Sequence, residues 1–165
     1  MSAVSTHVPA APRRSAGGDV DTLLATYAAG VEDLLGRVGR ACAAAGTGSE
    51  GIHAGVAALL ERLGSRPELA RRVLIDAPSA GRSVARARAD AHRRFCELVT
   101  GTVDGPLATP ESVAAGIRAV ENVLAANLLG GGATALDELA PFIEQVITSL
   151  RAGEYDTAPR PRRRA

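Results

Sequence analysis

Apolar residues recur every three or four positions over most of the chain, and this spacing predicts helices. A first helix is predicted over residues 19–45, and the Gly-Thr-Gly segment at 46–48 separates it from a second helix that starts at Ser49. Its apolar face holds Val20, Leu24, Tyr27, Val31, Leu34, Val38 and Cys42. The second helix continues the same spacing through Ile52, Val56, Leu59 and Leu63.

The segment LLERLGSRPELARRVLIDA, residues 59–77, predicts where the second helix ends and a short third helix begins. Gly64 suits the left-handed residue that ends many helices. Ser65 and Glu68 have the S-x-x-E spacing of a capping box, and Pro67 suits a first helical turn. Pro78 is expected to end the third helix, which then covers about residues 66–77. The same pattern also fits any helical hairpin.

Three more helices are predicted in the second half of the chain. The fourth runs from a cap at Ser79 to about Thr100, and a loop follows over residues 101–108. Thr109, Pro110 and Glu111 then supply a cap, a first-turn proline and an acid for a fifth helix that ends near Leu129. The inward positions of the fourth helix are Ala87, Ala91, Phe95, Leu98 and Val99.

A sixth helix is predicted from Ala135 or Asp137 to Ala152, and with the fifth it forms a predicted dimer interface. The fifth helix has a core face (Val113, Ile117, Val120, Leu124) and a second face of small residues that allows close approach of another backbone. Strict three-four spacing on the sixth helix is typical of an antiparallel bundle seam. The predicted interface residues are Gly116, Ala119, Val123, Leu139, Ile143, Val146 and Leu150.

Composition places these helices in one domain. The 165 residues are 46% apolar but include only two Tyr and two Phe, which predicts an all-α bundle of about six helices packed through aliphatic side chains. Residues 1–18 are predicted to be a disordered arm, 19–152 the domain, and 153–165 a disordered basic tail. With no secretory leader, no long apolar run and two unpaired cysteines, the expectation is a cytoplasmic protein.

The sequence of residues 59–77, followed by a long helix and a pair of helices separated by glycines, resembles the C-terminal effector-binding and dimerisation domain of TetR/AcrR-family transcriptional repressors. The likeness covers about residues 19–152. It implies a bacterial-type regulator that senses a small molecule through a cavity among its second to fifth helices, and that forms a homodimer.

Such repressors begin with a helix-turn-helix domain, for which residues 1–18 are too few. The expectation is therefore a chain without sequence-specific DNA binding of its own. Three explanations remain open: a fragment or mis-started reading frame, a relative that lacks the DNA-binding head, or a helical dimeric scaffold that binds no ligand. Arginines at 160 and 162–164 suit phosphate contacts, but a basic tail is usually only solubilising.

Catalytic motifs are missing from the sequence: there is no GxSxG, phosphate-binding loop or HExxH. No enzyme activity, cofactor or metal is therefore predicted. His92 and Cys96 are four residues apart, a spacing that a metal can bridge, but no further ligand pair accompanies them. A core thiol beside a half-exposed imidazole is the preferred interpretation.

The predicted ligand site is a mostly apolar pocket with a few polar groups that orient a ligand. Solvated helix faces are the plainer interpretation of each polar residue. Aliphatic walls favour an apolar or amphipathic molecule. The predicted apolar wall is Leu59, Leu63, Leu74, Phe95, Ile117 and Leu124, and the predicted polar contacts are Arg88, His92 and Glu121.

Overall fold

A computed structural model describes residues 16–105, 109–132 and 135–150. The chain is all-α, with six helices and no strand in this part. Helix α1 is Ala16–Ala45, α2 is Gly48–Ser65, α4 is Arg82–Thr102 and α5 is Pro110–Leu129. Helix α3 (residues 67–79) joins Pro67–Arg71, a π-helical turn Arg72–Asp76, and Ala77–Ser79. Helix α6 (residues 136–148) joins a 3-10 turn Leu136–Leu139 to Ala140–Thr148.

Helix α2 lies at the centre of the bundle. It packs along α1 on one side and against α6 on another, while α4 packs against α5 and α1. The main core is aliphatic, and α2 contributes Ile52, Val56, Leu60 and Leu63 to it. A smaller cluster around Tyr27, Val31 and Val84 joins the first half of α1 to α3 and α4.

The apolar stripes that the spacing predicts are confirmed for α1 and α5. Five of the seven α1 positions are buried (Tyr27, Val31, Leu34, Val38, Cys42), as are all four on the core face of α5 (Val113, Ile117, Val120, Leu124). The Thr109 cap is also confirmed, because its hydroxyl oxygen accepts a hydrogen bond from the Ser112 N–H at 3.1 Å. Pro110 occupies the first turn, as predicted.

The end of α2 and the cap of α3 differ from the prediction. Gly64 stays inside α2 and has no positive φ. Ser65 is the last residue of α2, and its hydroxyl donates to the Arg62 carbonyl at 3.2 Å instead of capping the next helix. Arg66 precedes α3 without a side-chain cap, so no capping box forms with Glu68. Helix α2 therefore runs one residue past its expected glycine stop.

Pro78 does not end α3. The π-helical turn comes just before it, and there the Ala77 N–H bonds to the Arg72 carbonyl five residues back. A proline has no N–H and its ring collides with the carbonyl four residues earlier, so a widened turn relieves the conflict. The helix then continues to Ser79, whose hydroxyl donates to the Ile75 carbonyl at 2.6 Å.

Other helix ends also differ from the predictions. Helix α4 starts at Arg82 after Gly81, not at a Ser79 cap, and it continues to Thr102. Helix α6 opens with a 3-10 turn and ends at Thr148, before the predicted Ala152. Helix α1 starts at Ala16, inside the predicted arm. The rest of the arm and the tail at 153–165 lie outside the described residues.

Close packing around the α1–α2 turn depends on glycine. Gly46 ends α1 with a φ of +91°, and its N–H bonds to the Cys42 carbonyl at 2.9 Å. A Cβ placed on Gly51 would lie 2.0 Å from the Gly46 carbonyl oxygen, and one on Gly55 would lie 2.6 Å from the Cys42 sulfur. Helices α1 and α2 therefore meet at a distance that no side chain at these two positions would allow.

We expect Gly51→Ala to lower the free energy of unfolding by about 1–3 kcal/mol, because its methyl group collides with backbone. Gly101→Ala is the matched control: Gly101 is also helical, but a Cβ there meets nothing within 4 Å. That change is expected to stabilise by about 0.5–1 kcal/mol. Urea unfolding of both variants measures the difference, and equal effects would contradict the packing described here.

Candidate ligand site

An apolar cavity of about 110 Å³ lies within the main core, and we call it the inner chamber. All six helices contribute to its wall, with Leu34, Ile52, Leu74, Phe95, Ile117 and Ile143 as one residue from each. Apart from Glu121 and Thr102, the chamber is lined by apolar side chains, Cys42 and Gly55. Phe95 is the single aromatic side chain in this lining, and the other large side chains are aliphatic.

A wider and more polar depression of about 630 Å³ lies between α1, α3, α4 and α5, and we call it the outer groove. Its polar side chains come mainly from the facing helices α4 and α5. They are Tyr27, Ser79, Arg88, His92, Arg118, Glu121 and Asn122.

The two compartments adjoin. Val73, Leu74, Phe95 and Glu121 line both the inner chamber and the outer groove. Two of these side chains, Val73 and Leu74, belong to the π-helical turn of α3. A molecule in the outer groove is therefore separated from the inner chamber by a wall of a few side chains.

The structure brings the predicted ligand-site residues together in this region. Leu59, Leu63, Leu74, Phe95, Ile117, Glu121 and Leu124 line the inner chamber, and Arg88 and His92 line the outer groove. The sequence prediction missed the contributions of α1 (Leu34, Val38, Cys42) and α6 (Ile143, Ile147). The α1 residues lie on its predicted core stripe, but the family resemblance implies a cavity among the second to fifth helices only.

His92 and Glu121 face each other across α4 and α5. The His92 Nδ1 lies 3.7 Å from the Glu121 Oε1. The other ring nitrogen, Nε2, is buried and has no hydrogen-bond partner, the single such side-chain atom in the described part of the chain. A buried polar atom without a partner costs about 1–3 kcal/mol. The wall of the site therefore contains a group that gains from a new hydrogen bond.

Glu121 and the two groove arginines shape the electrostatics of this wall. Burial and, to a smaller extent, the Glu121 charge raise the pKa of Tyr27 to about 12, against the opposing effect of the Arg88 charge. Burial likewise raises the pKa of the thiol of Cys96, an α4 residue that lines neither compartment, while the Arg118 charge lowers this pKa and the Glu121 charge raises it. Both groups are therefore held in their neutral forms at neutral pH.

Three residues of the predicted dimer interface are buried inside the single chain, and this corrects the prediction. Ile143 and Leu150 have 0% exposure, and a Cβ on Gly116 would lie 3.0 Å from a Leu150 methyl group. A side chain with no accessible surface in one chain has none to offer to a second copy. Ala119, Val123, Leu139 and Val146 remain half-buried and partly accessible.

Among the residues that the structure describes, no group of three or more His, Cys, Asp or Glu side chains is placed to hold a metal ion, and His92 with Cys96 gains no further ligand. No helix in the described ranges has the length and apolar character needed to span a bilayer. No protein-family model, curated protein or solved structure matches this chain.

Tyr27 gives a prediction on pH-dependent stability. Its pKa is about 12 in the folded chain, against about 10 in an unfolded one. Because the folded value is higher, the stabilisation is complete below pH 10 and disappears as the pH rises towards 12. Two pH units correspond to about 3 kcal/mol. Between pH 8 and about 11.5 the wild type should lose about 2 kcal/mol more stability than Tyr27→Phe in urea unfolding, because the raised pKa of Cys96 contributes equally to both proteins.

Tyr155 is the other tyrosine and lies outside the described residues, so Tyr155→Phe is the matched control. Ultraviolet titration of that variant isolates Tyr27. Ionisation of Tyr27 near pH 10 in the folded protein would contradict the burial described here.

Proposed function

We propose that this chain is a ligand-binding and dimerisation domain of the TetR type, which senses a small apolar or amphipathic molecule and thereby takes part in transcriptional regulation. The observation that carries the proposal is the inner chamber and its shared wall with the outer groove. Ligand sites of this kind combine an apolar lining with a few polar groups that fix orientation. The resemblance of residues 59–77 to TetR/AcrR repressors supports it from the sequence.

The size of the inner chamber suits part of a small molecule. Apolar cavities of about 150 Å³ stay dry and take up benzene. At about 110 Å³ the chamber accepts a shorter apolar group. Filling it restores contacts that its wall residues now lack.

The polar groups of the site favour binding over catalysis. A tyrosine with a pKa of about 12 is a weak proton donor at neutral pH. Cys96 lines neither compartment, and burial raises the pKa of its thiol, so little of the reactive thiolate is present. We therefore propose a binding protein and not an enzyme.

Thermal-shift measurements with 1-octanol and toluene test the ligand site. A ligand at one hundred times its dissociation constant adds about 2.7 kcal/mol of stability, which raises the Tm of a chain of this length by about 5–10 °C. Val99→Phe places a larger side chain in the inner chamber and should abolish the shift.

Val20→Phe is the matched control, because Val20 lines neither compartment. It should leave the shift unchanged. Equal shifts in wild type and Val99→Phe would place binding elsewhere and contradict the proposed site. No shift with any apolar or amphipathic compound would leave the dimeric scaffold as the better description.

Dimerisation through α5 and α6 is the second part of the proposal, and as a ligand-free scaffold it is also the alternative function. The two large apolar side chains exposed in the described part of the chain are Leu129 (70%) on α5 and Phe142 (44%) on α6. Phe142 lies one helical turn from Val146 on α6, and Ala119 and Val123 add accessible apolar surface on α5, whereas Leu129 also lines the outer groove. Exposed apolar surface of this kind favours association.

We expect the wild type to sediment as a dimer at micromolar concentration. Val123→Glu would bury a carboxylate against the second copy and should weaken the dimer at least tenfold. Ala57→Glu adds the same charge on an exposed position of α2 and should leave the dimer intact. Sedimentation velocity measures all three, and a monomeric wild type would rule out the proposed dimer.

A further inference from the structure

The outer groove holds two cations without partners. Arg88 lines it from α4 and Arg118 from α5. In the part of the chain that the structure describes, neither guanidinium forms an ion pair or a hydrogen bond. Arg93 and Arg94, also on α4, are each paired with carboxylates. Both groove arginines are therefore available to a ligand.

The charges of these arginines act on the wall of the site. Arg88 lowers the pKa of Tyr27, a groove residue, against the effect of burial, and Arg118 lowers the pKa of Cys96, an α4 residue that lines neither compartment. Glu121 is the carboxylate that lines the groove with them, and it lies beside His92. The formal charges of two arginines and one carboxylate side chain add up to one positive charge, which one anionic group neutralises.

We propose that the ligand is an amphiphilic carboxylate, with its head group bound by Arg88 and Arg118 and its alkyl tail in the inner chamber. This inference rests on the ligand-sensing function proposed above. A guanidinium offers a planar fork of N–H donors that matches the two oxygens of a carboxylate. Such hydrogen bonds are stronger than neutral ones.

The position of the alkyl tail is inferred from the wall that the two compartments share. Val73, Leu74 and Phe95 line both compartments, so an alkyl chain that starts at the arginines meets apolar side chains up to and inside the chamber. Scaled from the cavity that holds benzene, the chamber takes about four carbons. With a similar length lying along the groove, a carboxylate of about eight carbons fills the site.

Isothermal titration calorimetry with octanoate, 1-octanol and octylamine tests the head group, since these probes share one tail length. Octanoate should bind at least tenfold more tightly than 1-octanol, and octylamine should bind most weakly. The double variant Arg88→Gln, Arg118→Gln should remove the preference for octanoate and leave the 1-octanol affinity within twofold of wild type. Arg86→Gln is the matched control, because Arg86 is an exposed arginine of α4 that does not line the groove.

A measurement on the wild type keeps the test valid if circular dichroism shows that the double variant is unfolded. Raising the NaCl concentration from 20 to 300 mM should weaken octanoate binding at least threefold without weakening 1-octanol binding, because salt screens the charge interaction. Butanoate, hexanoate and octanoate should gain affinity by about fourfold per methylene group. Val99→Phe should reduce this gain in affinity per methylene group.

The outcomes separate the two proposals. Equal binding of octanoate and 1-octanol, or tighter binding of octylamine, would overturn the carboxylate inference and leave small-molecule sensing in place. Octanoate binding that persists unchanged in the double variant would also overturn it. Failure of all three probes, together with no thermal shift by 1-octanol or toluene, would overturn sensing itself.

Discussion

The close contact between α1 and α2 is the constraint on which the rest of the bundle depends. Two positions without side chains, Gly51 and Gly55, let α2 approach the turn and the last part of α1. That approach places Ile52, Val56, Leu60 and Leu63 in the centre of the molecule, where α6 covers them from another side. Both helices contribute to the wall of the inner chamber, so their separation sets part of its width.

Periodicity predicted the all-α fold and most of the core because burial on a helix repeats with the helical turn. The stripes of α1 and α5 are examples, and so is the Thr109 cap, where the hydroxyl meets its expected N–H within the local sequence. The predictions that failed are helix ends, where packing outweighs the local preference of a glycine or a proline. Gly64 and Pro78 carry strong stop signals, yet α2 continues through Gly64 and α3 widens into a π-helical turn instead of ending at Pro78.

The candidate site shows the same division. Leu59, Leu63 and Phe95 were predictable as inward residues because each lies on an apolar stripe. That Ile143 and Leu150 turn inward was not predictable from periodicity, since a three-four seam describes equally an intramolecular contact and an interface between copies. The buried His92 Nε2 and the pairing of His92 with Glu121 depend on how α4 and α5 face each other, which no local pattern specifies.

The π-helical turn of α3 forms part of the wall between the inner chamber and the outer groove, and its backbone geometry differs from that of the other helices. A π-helical turn holds one residue more than an α-helical turn, and here Arg71 and Asp76, five positions apart, approach to 3.6 Å across it. Val73 and Leu74 belong to this turn, so part of the partition is built on backbone with a wider hydrogen-bond spacing than the α-helices that surround it.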